Sequence, residues 1–285
     1  MSLFAPRRIL CAVDLSPATP AVIRWAGLFA ETYGAKLEIL HADWQEWPPY
    51  FTAAQIQTLV AENREHLAAL RDELGRIARE ALGAKASYAT TVVEGYPVAA
   101  ILEHASEHAP ELIVMGSHGR SGMARLRLGS VAENVVRETA IPTLVVKAGA
   151  NQQTPKISSV LCPVSFTKLA SRGLELSASV ASAFKAKLLL MHAVEQETDD
   201  LQRTHERLCQ WVPEEMRAHC DLVEVVRRGN AAEQVVLLAR ERDVDLIVLG
   251  AEHRPFFEFT TLGTTTERVV RYADSNVLVL PWKAS

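Results

Sequence analysis

Short apolar runs punctuate the chain near residues 8–14, 36–42, 86–93, 111–116 and 142–147. Most of them lack the strict polar alternation of a sheet with one wet face. Runs of this length and kind are strands covered on both sides, as in parallel sheets. Between them the apolar positions fall into a helical period near 18–33, 53–82, 97–109 and 128–139. The remainder of the chain alternates in the same way, with strands expected near 158–164, 187–193, 221–227, 245–250 and 277–281.

The alternation is also a repeat. ILCAVD at 9–14 is echoed by VLCPVS at 160–165, and KLEILHA at 36–42 by KLLLMHA at 187–193, both 151 residues later. ELIVMG at 111–116 is echoed by DLIVLG at 245–250, now 134 residues later. The 17 residues of difference must lie in the first copy, between its second and third strands. Two domains follow, 1–148 and 157–285, joined by a polar linker at 149–156 that holds Gly149 and Pro155. The fold class is α/β: two tandem flavodoxin-like, Rossmann-like doubly wound domains. Each is expected to be a five-stranded parallel sheet of order 3-2-1-4-5. Ligands of such sheets bind beyond the carboxyl ends of the strands, where the strand order reverses. Asp14, Ala42, Gly95 and Gly116 fall on that rim in the first copy.

Composition narrows the class without setting the function. The 285 residues are 48% apolar and 22% charged, with a net charge of −4 and no basic run, so a nucleic-acid partner is not expected. No stretch is long and apolar enough to span a membrane. The N-terminal MSLFAPRRIL leads directly into a strand rather than reading as a signal peptide. Four cysteines in such a chain are no disulfide framework, and Cys11 and Cys162 fall inside apolar strands. A cytoplasmic protein is the plain reading.

The stretch 112–130, LIVMGSHGRSGMARLRLGS, carries the chemistry. A buried strand runs into a loop holding Gly116, Gly119 and Gly122, and Gly129-Ser130 then opens a helix. Glycines let backbone N–H groups approach an anion closely, and a helix N-terminus adds unpaired donors and a positive dipole end. Arg120, Arg125 and Arg127 add positive charge. The P-loop pattern fails because no lysine precedes Ser130, and the dinucleotide fingerprint fails because 116–122 reads G-x-x-G-x-x-G. What does fit is Gly116-x2-Gly119-x9-Gly129-Ser130, which resembles the nucleotide-binding signature of the ATP-binding universal stress proteins. VMGSHGRSG, LGSVAENVV and IPTLVV also read like that family.

The resemblance implies an ATP site, with AMP or ADP as alternatives and Mg²⁺ accompanying the nucleotide. It gives Gly116, Gly119, Gly129, Ser130 and the amide of Val131 to the phosphates, with His118 facing them. Ala42 aligns with the position whose backbone reads the adenine edge, and Ala12 and Met115 complete the set at the ends of strands one and four. Asp14 would take ribose hydroxyls or help hold the cation; as a plain residue it would be an N-cap, a role open to Ser16 as well. The family's single domains pair through their last strands, so here the edges at 142–147 and 277–281 are expected to pair within one chain, and whole chains could further form a homodimer.

Other features are read more plainly. Trp44, Trp47, Tyr50 and Phe51 crowd the first-copy insertion. They could lid a base, although packing against the other half or a second subunit is the favoured reading. His41 and His192 are equivalent and read as structural strand-end residues. In the second copy Ser165 replaces Asp14 and His253 replaces Gly119, and Pro255, Phe256, Phe257 and Phe259 add bulk before Gly263-Thr264. One nucleotide site per chain is therefore expected. No serine–histidine–acid order, zinc-ligand cluster or H-E-x-x-H is present, so a non-catalytic role is expected, and the resemblance implies that this role is stress-response regulation. The alternatives are a slow ATPase or nucleotidyl-transfer enzyme, and a sensor of a non-nucleotide ligand in the second domain or between the domains.

Overall fold

The computed structural model describes residues 4–45, 53–118, 128–147, 154–196, 198, 200–251, 254–256, 259–261 and 264–281. The first domain runs β1 (Arg8–Val13), α1 (Thr19–Tyr33), β2 (Lys36–Asp43), α2 (Ala53–Leu82), β3 (Tyr88–Glu94), α3 (Pro97–His108), β4 (Leu112–Gly116), α4 (Ser130–Glu138) and β5 (Thr143–Val146). The second begins with β6 (Ser159–Pro163), α5 (Lys168–Phe184), β7 (Lys187–Val194), α6 (Leu201–Trp211), α7 (Glu214–His219), β8 (Leu222–Arg228) and α8 (Ala231–Glu241). It ends with β9 (Leu246–Ala251), β10 (Arg254–Phe256), β11 (Phe259–Thr261), α9 (Thr264–Tyr272) and β12 (Asn276–Pro281).

Ten strands form one sheet in the order β3-β2-β1-β4-β5-β12-β9-β6-β7-β8. Each half is a parallel five-stranded sheet of order 3-2-1-4-5 with helices on both faces. The halves meet through β5 and β12, which run antiparallel with Val145 opposite Val277 and Leu144 opposite Leu278. The loop after β9, where no strand was expected, forms a small antiparallel hairpin of β10 and β11. The longer β2-to-β3 connection of the first domain spans residues 44–87, against 195–221 in the second, and most of it is the 30-residue helix α2.

Strand periodicity explains why the central strands are apolar throughout. Ile9, Cys11, Leu112, Val114 and Leu144 join the core on one face of the sheet, while Leu10, Ala12, Ile113, Met115 and Val145 join the core on the other. Successive side chains point to opposite faces, so only a continuous apolar run suits a strand covered twice. Each fully buried side chain of this size contributes about 1.5–3 kcal/mol. Both cores contain residues of both domains. On one face Phe29 and Tyr33 of α1 reach Phe184 of α5, with ring centroids 5.1 and 6.0 Å apart. On the other, Arg271 of α9 faces Glu133 of α4 at 3.6 Å.

At the seam, Lys147 follows β5. Its amide donates to Asn276 Oδ1 at 2.8 Å, and its ammonium donates to the carbonyl of Val270 near the end of α9. A cation there meets the unsatisfied carbonyls of a helix C-terminus. Among the described residues, no helix is long and apolar enough to cross a membrane.

Candidate functional site

The strand order of the first domain reverses between β1 and β4, the switch point of its sheet. A cavity of roughly 330 Å³ opens at this point. Its floor and walls come from four places: Ala12 and Asp14 at the end of β1, Ala42 to Trp44 at the end of β2, Met115, Gly116 and His118 at the end of β4, and Gly129 to Ala132 at the start of α4. Pro97 and Ile101 of α3 close one side. The chain reaches α3 through Gly95, whose φ of +143° is open only to glycine in ordinary circumstances.

Nine of the ten residues named from the sequence line this one cavity: Ala12, Asp14, Ala42, Met115, Gly116, His118, Gly129, Ser130 and Val131. The tenth, Gly119, lies outside the described residues, as do Arg120, Arg125 and Arg127 and the aromatics Trp47, Tyr50 and Phe51.

The start of α4 differs in detail from the sequence expectation. Gly129 is the N-cap, and its amide donates to Ser117 O at 2.8 Å, tying the start of α4 to the residue that follows β4. The first intrahelical bond runs from Glu133 N to Gly129 O. The amides of Ser130, Val131 and Ala132 thus belong to the helix turn that has no internal acceptors, and all three residues line the cavity. Gly129 itself has φ −66° and ψ 145°, which any residue can adopt. A glycine there is not required by the backbone; what it supplies is the absence of a side chain where α4 meets the cavity.

At the end of β1, Asp14 Oδ1 accepts from Ser16 N at 3.1 Å, turning the chain toward α1. Neither Asp14 nor Ser16 caps that helix: its N-cap is Ala18, with no side-chain cap bond. Leu15 in the same turn has φ +57°, and its counterpart Phe166 has φ +56°, so this left-handed step belongs to the fold and is not special to the site. His41 Nδ1 meets Val13 O at 2.9 Å, and His192 meets Val164 O at 2.8 Å. Each histidine ties the end of its second strand to the end of the first, which is why it recurs in both domains. Ala42 lies one position beyond the last β1–β2 pair, Val13 with His41.

Several lining residues lie outside the glycine motif. Asp43 meets His66 Nε2 of α2 at 3.0 Å. Trp44, 55% exposed, stands edge-on to Tyr96 across the mouth at 5.9 Å. Ser16 and Thr19 also line the cavity, with their hydroxyls buried. Periodicity could not flag these positions, because the insertion and the helix start bring them to the rim only in three dimensions.

The corresponding rim of the second domain is built otherwise. Ser165 is exposed, and the Phe166 ring lies 4.3 Å from His192 and 5.8 Å from Trp211, with the Arg207 guanidinium 4.4 Å above it. Gly263, His253 and Phe257 lie outside the described residues.

Comparison with known proteins agrees with the repeat. The chain is 26% identical over 293 residues to the universal stress protein Rv2005c of Mycobacterium tuberculosis, across 95% of this chain and 96% of that one. It is 29% identical over 148 residues to the universal stress protein YxiE of Bacillus subtilis, which covers 49% of this chain and 98% of that protein. The crystal structure of a universal stress protein from Archaeoglobus fulgidus superposes with a TM-score of 0.69 at 21% identity, over 98% of this chain and 97% of that one, and so shares its fold. The profile of the Universal stress protein family matches residues 6–147 and again 156–281. The chain therefore belongs to the universal stress protein family and carries two consecutive copies of its domain.

Proposed function

We propose that this chain is an ATP-binding regulator of the stress response, holding one nucleotide with Mg²⁺ in its first domain and carrying out no chemistry on it. One observation carries the reading: nine residues picked from sequence for nucleotide binding line a single cavity at the switch point of the first sheet. In this reading the amides of Ser130, Val131 and Ala132 take the phosphates at the positive end of α4. The backbone of Ala42 meets the adenine edge, and Asp14 faces the ribose side. Among the described residues, no three His, Cys, Asp or Glu side chains are grouped to hold a metal alone. Mg²⁺ would thus arrive on the phosphates, with Asp14 a carboxylate of the same cavity that could help hold it.

The β5–β12 pairing would stand in, within one chain, for the strand pairing of single-domain relatives. The chain would work in the cytoplasm, alone or as a homodimer. Calorimetric titration of the whole chain with ATP and Mg²⁺ tests the reading, beside Gly129→Asp. The expected result is about one ATP per chain for the wild type and none for the variant, because a carboxylate then stands at the mouth of the anion site. Absence of nucleotide binding by the wild type sinks the proposal. Steady turnover of the bound ATP would sink its non-catalytic part.

A further inference from the structure

One stripe of α3 runs Pro97, Ile101, His104 and His108, at the spacing that keeps residues on one side of a helix. The stripe begins at the cavity, which Pro97 and Ile101 line, and ends in a polar cluster. His104, 7% exposed, places Nε2 3.0 Å from Glu38 Oε1 of β2, and Thr91 Oγ1 of β3 donates to the same carboxylate oxygen at 2.7 Å. The His108 ring stacks on that of His104 at 4.0 Å.

The second domain shows that the fold does not require this cluster. Its counterparts of Glu38, Thr91 and His104 are Leu189, Val225 and Leu238, which belong to or pack against the apolar core of that face. The strand register is the same in both domains, with Leu40 opposite Thr91 and Met191 opposite Val225. Well-packed apolar residues commonly hold two elements together at least as firmly as a buried ionic cluster does. What the polar version adds is geometry, since a hydrogen bond tolerates far less sliding than a contact between apolar side chains.

The two equivalent helices are also fastened differently. α8 is held at its N-terminus, where Asn230 Oδ1 accepts from Glu233 N at 3.3 Å and Glu195 Oε1 accepts from Ala231 N at 3.3 Å. At the matching positions the first domain has Tyr96 and Trp44, whose rings meet edge to face, and α3 starts with no side-chain cap bond. The end of α3 that walls the cavity thus lacks the fastening of its counterpart, and the polar anchor lies at His104, three residues past Ile101.

We infer that Glu38, Thr91 and His104 are positioning residues for the cavity. They fix where α3 sits on the sheet, and with it where its uncapped first turns, carrying Pro97 and Ile101, stand against the nucleotide. The inference rests on the nucleotide reading of this cavity and extends it to residues outside the lining.

The test gives the first domain the residues of the second. ATP with Mg²⁺ is titrated into the full chain as wild type, as Glu38→Leu/Thr91→Val/His104→Leu, and as His104→Gln, whose amide can still donate to Glu38. The triple variant should melt at or above the wild-type temperature yet bind ATP about 5-fold or more weakly, and His104→Gln should stay within about 2-fold of wild type. Amide exchange of the nucleotide-free wild type supplies a second reading that needs no variant. Ile101 and Leu102 should exchange about 10-fold faster than Val235 and Val236, their counterparts in α8, and ATP should narrow the gap. Unchanged ATP affinity in a stable triple variant overturns the inference and leaves nucleotide binding standing. A triple variant that melts below wild type overturns it too, because the cluster is then plain structural support. Equal exchange in the two helices counts against it in the same way. Failure of the wild type to bind ATP removes the nucleotide reading, and the inference with it.

Discussion

Replacing Lys147 by Met should change how the stability of the whole chain depends on pH. Lys147 is 6% exposed, and burial lowers its pKa from 10.5 to about 8, with Asp274 opposing the shift. Below pH 8 the group is charged in both folded and unfolded chains, and the cost of burying it is constant. Between about 8 and 10.5 the unfolded chain keeps a proton that the folded chain has released, so stability rises with pH. Above 10.5 the effect is complete. A shift of this size amounts to about 3 kcal/mol in all, of which about 2 kcal/mol falls between pH 8 and pH 10. Met keeps the length of the side chain and removes the charge. It also leaves Val270 O without its donor, a penalty of about 1–3 kcal/mol that does not vary with pH. Other groups titrate in this range with the opposite sign. Burial raises the thiols of Cys11 and Cys162 and the phenol of Tyr33, so ionisation of the unfolded chain weakens the fold as pH rises. They are common to both proteins and cancel in the difference. Urea denaturation at intervals from pH 7.5 to 10 should therefore show wild type gaining about 2 kcal/mol on Lys147→Met. A difference that stays constant to within about 0.5 kcal/mol over pH 8–10 would refute the argument that burial holds this ammonium near its titration point.

Three further changes separate packing, site and surface. Phe29 is 0% exposed and packs against Phe184 of the other domain, so Phe29→Ala should cost about 3–5 kcal/mol with both domains still unfolding in one transition; two resolved transitions in calorimetry would contradict the shared core. Gly129→Ala meets no backbone penalty at φ −66° and should leave urea stability within about 0.5 kcal/mol, while weakening ATP at least 10-fold if the missing side chain is what admits phosphate. Unchanged ATP affinity would count against close approach at that residue. Arg271→Ala removes a 3.6 Å pair with Glu133 whose side chains are each 32% exposed, and should cost less than about 1 kcal/mol; a larger loss would mean that this pair, rather than the aromatic contact and the strand ladder, fastens the domains.

Much of the fold was legible because its signals are periodic and local. The runs at 111–116 and 245–250 correspond to β4 and β9, and the helical period at 53–82 to α2. The 17-residue mismatch between repeat offsets lies in the β2-to-β3 connection. The glycine spacing singled out residues that the switch point then gathers into one cavity, since strand ends separated by 100 residues of chain are neighbours in a 3-2-1-4-5 sheet.

Sequence by itself thus determined the class of the fold, the twofold repeat and the motif residues, all of which follow from the spacing of residue types along the chain. Tertiary structure decided what depends on which atoms are already engaged. It gave the Gly129 amide to Ser117 O and left the amides of the next three residues at the open first turn of α4, beside the cavity. It turned Ser16, read as a possible cap, into a buried hydroxyl beside Asp14, while the equivalent Thr167 caps its helix. It also joined Lys147 to Asn276 and Val270, a contact with no counterpart in the repeat because Pro281 stands where a second lysine would be. A hydrogen bond has one geometry and few partners, and which partner wins is settled only when distant segments compete for it in space.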